Sequence, residues 1–189
     1  MGRSSLCPGF FQSQSVYIQP SAESMACQLS ISISGPGTSK PAHWGFVIHN
    51  PPDNYYGDML HVRLIDRRNN IFQFEPRTPH ALESHGAYGL CKLADLDGAQ
   101  RFRVASILEK EVPAPRGGTR NCQDWVVDGL VALEVEELVK DGTTAIWTSR
   151  VGKRTHVIKD EVGGEWESLN GHWAWSIANV GWPPVVYNV

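Results

Sequence analysis

The sequence predicts an α+β fold in which an antiparallel β-meander packs on helices. Short, largely apolar segments follow one another through the first half of the chain, and turn-forming residues separate them. Connections this short favour antiparallel neighbours. A longer segment that begins near residue 122 has the apolar spacing typical of an amphipathic helix. We expect a single domain over residues 26–189, preceded by a disordered leader over residues 1–25, which is rich in Ser and Gln.

Four strands are predicted before residue 77. The segment CQLSISIS (27–34) alternates apolar and polar residues with the two-residue period of a strand. After the break GPGTSKP come AHWGFVIH (42–49), MLHVRLID (59–66) and NIFQFEP (70–76). The loop NPPDNYYGD (50–58) and the turn RRN separate these three segments. Because the connections are short, we expect neighbours in sequence to be neighbours in the sheet.

The segments between these strands and the predicted helix are more ambiguous. TPHALESHGAYGLCKLADL (78–96) mixes turn residues with a pattern that fits a short helix. FRVASILEKEVPAP (102–115) fits a strand or a helix that ends at the prolines. Both alternatives stay open for the second segment.

A helix is predicted over residues 122–140. Val126, Leu130 and Leu133 form an apolar stripe with helical spacing, and Gly142 supplies a stop. Two weaker strand candidates follow, GTTAIWTS and RTHVIK, and four of the seven tryptophans lie in the last quarter of the chain: Trp166, Trp173, Trp175 and Trp182.

The composition does not favour nucleic acid or an anionic membrane surface as a partner. The formal net charge is −3, and 41% of the residues are hydrophobic and 20% charged, which is ordinary for a globular protein. The N-terminal segment lacks the apolar core of a signal peptide, and no run is long and apolar enough to span a bilayer. We therefore expect a cytoplasmic protein that acts on a small-molecule or peptide-like substrate, in an oligomeric state that the sequence leaves open.

The sequence indicates neither a disulfide framework nor a bound cofactor or metal. The four cysteines, Cys7, Cys27, Cys91 and Cys122, are far apart and form no CxxC pair, which favours reduced thiols. The glycine patterns that bind nucleotides are absent. His80, His85 and Cys91 were weighed as a zinc site, but zinc ligands are usually spaced as tighter pairs. We expect no cofactor and no metal.

Cys122 is the first candidate for chemistry because it stands between a glycine-rich loop and the start of the predicted helix. The free backbone N–H groups and partial positive charge of a helix start favour a thiolate over a thiol. The same N–H groups stabilise an oxyanion that forms when a thiolate attacks a carbonyl. Such a cysteine is therefore a candidate nucleophile; the alternative is a small buried hydrophobe.

Two histidines are candidates for the base that a thiol enzyme requires. His43 opens one predicted strand and His61 lies in the next. If residues 50–58 form a simple hairpin, the two positions fall within a couple of residues of each other across the sheet. One imidazole is then close enough to fix the tautomer of the other. The alternative for each is a partly buried polar residue on a strand. Asp66 and Glu75 are interpreted as surface or strand-end charges.

The box HWGFVI, the second histidine in MLHVRL and the helix start NCQDWV together resemble the lecithin–retinol acyltransferase-like group of the NlpC/P60 superfamily. This resemblance implies a circularly permuted papain-like fold, since the histidines precede the cysteine. It implies Cys122 as the nucleophile, His43 as the general base and His61 as the third member of the triad. The group's common His-Phe pair after the cysteine is Asp124-Trp125 here, which favours the chemistry of the superfamily over lipid acyl transfer.

The chain also resembles a set of uncharacterised fungal proteins that share the His-Trp box, the VPAP stretch at 112–115 and the NCQ helix start. That resemblance covers most of residues 42–140 and implies no activity; a role in fungal specialised metabolism is an expectation from it alone. Substrate contacts are expected from Gln123, as an oxyanion donor with the N–H of Cys122, and from Trp44, Arg116 and Arg120. The alternative for the two arginines is that they solvate the loop.

Three functions follow as hypotheses. The first is a cysteine-dependent hydrolase or acyltransferase that acts through a Cys-His-His triad on an amide, ester or thioester. The second keeps the cleft but uses the histidines as acid and base in a cyclisation or isomerisation without a covalent step. The third is a non-catalytic binding module whose tryptophan-rich segment (166–182) contacts a partner.

Overall fold

The computed structural model describes residues 26–51, 53–83 and 86–169. In these residues six strands form one sheet: β1 (Cys27–Ser34), β2 (His43–Asn50), β3 (Asp53–Asp66), β4 (Ile71–Ala81), β5 (Ala87–Leu96) and β6 (Trp166–Ser168). Their order across the sheet is β4-β3-β2-β1-β5-β6, and every pair of neighbours is antiparallel. The four helices are α1 (Gly98–Lys110), α2 (Cys122–Val135), α3 (Thr143–Thr148) and α4 (Thr155–Val162).

The predicted α+β class and the antiparallel meander on helices are confirmed. The four predicted strands before residue 77 are present, although β3 begins earlier than predicted and takes in much of the predicted loop 50–58. The α1 helix settles the ambiguity of segment 102–115 in favour of a helix. The predicted leader 1–25 and most of the tryptophan-rich segment lie outside the described residues.

Three local predictions are wrong. Segment 78–96 holds the strand β5 and not a short helix, because the far side of β1 needs a hydrogen-bonding partner and β5 supplies it. GTTAIWTS and RTHVIK hold α3 and α4 and not strands. Each helix is less than three turns long, so few of its residues are buried: Trp147 in α3, and Thr155 with Ile158 in α4. So few buried positions do not reveal a helical period in the sequence.

The main core lies between the sheet and the helices. Alternate residues of β2, Trp44, Phe46 and Ile48, face it together with Trp125 and Leu130 of α2. The opposite face of the sheet carries a smaller cluster of buried side chains: Val47, Met59, Leu82, Ala87, Leu90 and Leu169. Both faces of the central strands are thus covered. In the described residues no helix is long and apolar enough to cross a membrane.

The sheet opens at the end of β2 that carries His43. The recorded pairs of β2 with β3 run from Phe46–Leu60 to Asn50–Asp53, and therefore stop short of His43. The pairs of β3 with β4 continue past this point to Asp66–Ile71. Near this end, Gly45 of β2 lies close to His61 of β3, and Gln123 of α2 donates to the carbonyl of Ala42.

Candidate functional site

His43 and His61 form a hydrogen-bonded pair. His43 Nε2 lies 2.9 Å from His61 Nδ1, and the two rings meet edge to face with their centroids 5.1 Å apart. Continuing the β2–β3 register by one residue places Gly45 opposite His61, which makes His43 and His61 diagonal neighbours on one face of the sheet. The sequence prediction that the two histidines lie side by side agrees with this geometry.

Gly45 creates the space for this pair. A Cβ atom on Gly45 would lie 2.8 Å from Cβ of His61 and 3.2 Å from Sδ of Met59. A Cβ contact of 2.8 Å is essentially never seen in proteins, so any other residue at position 45 would force His61 or its strand to shift. The glycine of the His-Trp-Gly box thus has a steric role that the sequence pattern does not reveal.

Glu75 lies on the Nε2 side of the His61 ring. It lies directly across the β3–β4 ladder from His61, with its Oε1 4.0 Å from His61 Nε2. In the described residues Nε2 of His61 is buried without a hydrogen-bond partner, and the negative charge of Glu75 favours the tautomer with its proton on this nitrogen. In that tautomer Nδ1 of His61 accepts and His43 Nε2 donates. His43 Nδ1 then carries a lone pair, which is the form that a general base requires.

The environment holds both imidazoles neutral. Burial, followed by the positive charge of Arg77, lowers the pKa of His43 to about 4. Burial, His43 and Arg77 lower the pKa of His61 to about 4, and the carboxylate of Glu75 opposes the shift. Both histidines are therefore uncharged at neutral pH, and each can accept a proton.

Cys122 is the first residue of α2, as predicted. Asn121 caps the helix: its Oδ1 accepts from the N–H of Gln123 at 2.8 Å, and Asp124 Oδ2 accepts from the N–H of Asn121 at 2.7 Å. The glycine-rich loop before it therefore ends in a capping box that fixes where the helix begins. The cysteine is only 8% exposed and belongs to the main core.

The thiol of Cys122 differs from the expectation for a helix start. Burial raises its pKa above the usual value of 9.0. Hydrogen bonding from the backbone N–H groups of Trp44, Cys122 and Gln123 opposes the shift but does not outweigh burial. The expectation of a lowered thiol pKa is thus wrong, because the side chain points into the core and not into solvent.

The thiol lies beside the peptide bond that joins His43 to Trp44. The N–H that approaches it belongs to Trp44, the residue that follows His43. In the described part of the chain, Cys122 forms no side-chain hydrogen bond with either histidine. Nδ1 is the ring nitrogen of His43 nearer to its own backbone, and Nε2 is engaged with His61. Nδ1 is therefore the ring nitrogen of His43 that is left for the thiol.

Gln123 ties the two parts of the site together from within the core. Its side chain is fully buried; Nε2 donates to the carbonyl of Ala42 at 2.9 Å and Oε1 accepts from the N–H of Gly152 at 2.8 Å. The residue after Cys122 is thus bound to the residue before His43. This position makes Gln123 a brace between the two elements, and leaves it no surface on which to meet a substrate.

Of the remaining sequence candidates, one is buried in the core and two are exposed. Trp44 is fully buried and packs edge to face on Trp147, with ring centroids 5.2 Å apart, so the structure places it in the core. Arg116 and Arg120 are exposed in the loop that leads into α2. Arg120 forms an ion pair with Asp128.

Of the three residues of the candidate zinc site, the structure describes His80 and Cys91. In the described residues no group of three His, Cys, Asp or Glu side chains could hold a metal ion. Cys91 is buried in the main core, where burial raises its pKa to about 12. His85 lies outside the described part of the chain.

Sequence reasoning missed Glu75, Arg63 and Arg77. The sequence predicts Glu75 to be a surface or strand-end charge, whereas in the structure both guanidiniums bind it and it faces His61. These side chains share one face of the sheet because they alternate along β3 and β4 in register with His61. The alternation of histidine, arginine and glutamate on adjacent predicted strands was the available signal.

Comparison with curated proteins and with solved structures gave no match. A family model matches residues 30–140, which is more than half of the chain and includes His43, His61 and Cys122. The chain belongs to this family, described as a family of unknown function, DUF6540.

Proposed function

We propose that the protein is a cysteine-dependent hydrolase or acyltransferase in which Cys122 is the nucleophile, His43 the general base and His61 the residue that orients it. The observation that carries the proposal is the position of the thiol. It lies at a capped helix start, beside the peptide that follows His43, while Nε2 of His43 is bound to His61. The thiol thus lies at the peptide unit of the base, and the base is hydrogen bonded to the orienting group.

The neutral thiol and the neutral imidazoles favour general-base catalysis over a resting ion pair. As Sγ of Cys122 attacks the carbonyl carbon of an amide, ester or thioester, its proton passes to Nδ1 of His43. The new C–S bond forms and the carbonyl oxygen becomes an oxyanion. When the oxyanion collapses, the bond to the leaving group breaks, and the leaving group takes the proton from His43.

The second half of the reaction repeats these transfers. Water or another nucleophile gives its proton to His43 as it attacks the thioester, the C–S bond breaks, and the sulfur recovers the proton. The His61 ring, with Glu75 on its far side, holds the proton of His43 on Nε2, so that Nδ1 is the nitrogen that takes up and gives back the proton in each half of the reaction. The permuted papain-like relationship, a role in fungal specialised metabolism and a cytoplasmic location remain predictions from the sequence.

Acylation by p-nitrophenyl acetate tests the proposal. We expect one acetyl group, located on Cys122 by peptide mass spectrometry, and a stoichiometric burst of p-nitrophenolate. His43→Gln should slow acetylation about 100-fold, the lower end of the usual contribution of a general base. Both variants Cys122→Ala and Cys122→Ser should give no acetyl-thioester.

Cys27→Ser is the matched control. Cys27 is also buried, and its Sγ donates to the carbonyl of Leu96, a hydrogen bond that serine preserves. This variant should be acetylated like the wild type. Acetylation spread equally over Cys27 and Cys122, or none at Cys122, contradicts the proposal.

One observation favours acid–base catalysis without a covalent step as a second candidate. The histidines are bound to each other at 2.9 Å, whereas the thiol has no side-chain hydrogen bond to either of them in the described residues. The pair alone can move a proton in a cyclisation or isomerisation. Once a substrate is found, full turnover by Cys122→Ala would favour this candidate over the thiol enzyme.

A further inference from the structure

Six exposed arginines lie around the end of the sheet at which α2 begins. We call them the arginine rim: Arg63, Arg67, Arg68, Arg77, Arg116 and Arg120. Two belong to β3 and β4, two to the turn between these strands, and two to the loop that leads into α2. They are far apart in sequence, so their proximity depends on how the turn and the loop are joined.

Asn70 joins the turn to the loop. Its Nδ2 donates to the carbonyls of Gly118 and Arg120, at 2.9 and 2.8 Å, and its own carbonyl accepts from the N–H of Gly117 at 2.9 Å. Arg116 continues the contact as an isolated bridge to Ile71, the first residue of β4. The arginines of the turn and of the loop therefore stand side by side.

Arg63 and Arg77 bring the rim to the histidine pair. Both bind the carboxylate of Glu75, which faces His61 across the ladder. Arg77 donates from Nε and Nη2 to Oε1 of Glu75, at 2.9 and 2.6 Å. The rim thus extends from the loop before Cys122 to the immediate neighbours of His61.

The rim carries excess positive charge in a chain whose formal net charge is −3. Among the described carboxylates of the same elements, Asp58 pairs with Arg101 and Glu134 accepts from the N–H of Thr144. The others are Asp66, Glu75, Asp124 and Asp128. Asp124 is occupied by the helix cap and Asp66 by the turn. In the described residues Arg67, Arg68 and Arg116 have no side-chain hydrogen bond or ion pair. Three guanidiniums are thus available to an anion.

We infer that the substrate of this site carries an anionic group, a carboxylate or a phosphate, which the arginine rim holds while the acyl carbon lies at Cys122. The inference rests on the proposed function and adds the substrate class to it. Guanidinium forks bind both kinds of oxyanion. The anion is bound and not consumed, so the acyl transfer itself is unchanged.

Two alkylating reagents that differ by one negative charge test the inference without a known substrate. Iodoacetate and iodoacetamide both form a C–S bond with Cys122 and release iodide. We measure the ratio of the iodoacetate rate to the iodoacetamide rate at Cys122. Peptide mass spectrometry gives both rates at pH 9, in the folded protein and in urea. Two excess charges at a distance of roughly 10 Å should raise the ratio about threefold at low salt, and 0.5 M NaCl should remove the increase.

Variants of the rim identify the source of the effect. Arg116→Gln should lower the ratio about twofold and Arg116→Lys should preserve it, since a point charge suffices for steering. Arg103→Gln is the matched control, because Arg103 is an exposed arginine of α1 that pairs with Glu111 and Glu136. Succinate and pyrophosphate, added as competitors at equal ionic strength, distinguish a carboxylate site from a phosphate site.

A ratio in the folded protein equal to that in urea, or one that Arg103→Gln lowers as much as Arg116→Gln, overturns the inference. If neither reagent labels Cys122 in the folded protein, the proposed function fails on its own. Calorimetric titration with pyrophosphate and with succinate then measures anion binding to the arginine rim directly. Saturable binding that Arg116→Gln weakens supports the anion site, and the absence of binding in the wild type overturns it.

Discussion

Gly45 and His61 face each other across the opened end of the β2–β3 ladder, so closely that a Cβ atom on Gly45 would lie 2.8 Å from that of His61. The absence of one side chain is therefore what lets the His61 ring lean towards His43 and hydrogen bond with it.

Gly45→Ala should destabilise the protein and break the histidine pair. Overpacking of a buried site costs about 1–3 kcal/mol, and here the group that has to move is the His61 ring. Urea unfolding measures the loss, and imidazole NMR resonances report whether the two rings still share a proton.

Gly98→Ala is the control for the loss of glycine itself. Gly98 opens α1, and a Cβ atom there would meet nothing within 4 Å. We expect this variant to change stability by less than about 0.5 kcal/mol. Equal stability of Gly45→Ala and wild type would mean that the sheet relaxes enough to accept the methyl group.

Acidification should destabilise the protein between pH 7 and pH 5. The folded state holds the pKa of His43 at about 4, whereas an unfolded histidine titrates near 6.5. Within this window the unfolded state binds the additional proton, so the free energy of unfolding falls as the pH falls. For His43 the decrease from pH 7 to pH 5 should be roughly 2 kcal/mol.

Urea titrations at the two pH values, for wild type and for His43→Gln, measure this contribution. The variant should lose about half of the pH dependence, because burial also lowers the pKa of His61 to about 4 and this histidine contributes the rest. His156→Gln, which changes an exposed histidine of α4, should keep it. A wild-type curve that is flat between pH 7 and pH 5 contradicts the burial of neutral imidazoles at the site.

Alkylation of Cys122 by iodoacetamide should become faster up to and beyond pH 9. Burial raises the pKa of this thiol, so the thiolate fraction is small at neutral pH. Rates measured from pH 6 to pH 10 by peptide mass spectrometry define the profile. A plateau below pH 7 would instead indicate a preformed thiolate–imidazolium pair. Cys91, with its pKa raised to about 12, provides a slower internal reference.

Gln123→Glu should slow acylation and reduce stability together. The carboxylate can still accept from the N–H of Gly152 but has no proton to donate to the carbonyl of Ala42. A buried polar group that loses its hydrogen bond costs about 1–3 kcal/mol. Without the bond to Ala42, the position of Cys122 relative to His43 is held less firmly. Unfolding in urea and the burst rate with p-nitrophenyl acetate measure the two effects.

Gln73→Glu is the matched control, since Gln73 is an exposed glutamine of β4. It should leave the burst rate within twofold of the wild type. Gln123→Met removes both hydrogen bonds while it retains the volume; if it acylates like the wild type, the brace has no role in aligning the site.

The central strands and the start of α2 could be predicted from the sequence. Period-two alternation and short turns located β1 and β2, and the Asn-Cys helix start located α2 to the residue. It failed for β5, α3 and α4, where a missing sheet partner or one buried contact decides the structure. Such tertiary causes leave no periodic pattern in a short segment.

The candidate site, too, could be predicted from the sequence only in part. The pairing of His43 with His61 follows from strand alternation and could be predicted. The raised pKa of Cys122 could not, because it depends on how deeply the helix start is buried. Nor could the bond of Gln123 to Ala42, which joins residues far apart in the chain.

The capping box at the start of α2 limits what this helix can offer to an oxyanion. Asn121 already accepts from the N–H groups of the second and third helical residues, and among the first three only the amide of Cys122, which approaches the thiol, is not engaged by the cap. A tetrahedral intermediate on this sulfur therefore relies on a single helix amide, and the N–H of Trp44, which already approaches the thiol, is the nearest candidate for a second donor. Half of the anion-stabilising pocket would then come from the strand that bears the base, so one peptide unit would set both proton transfer and charge stabilisation.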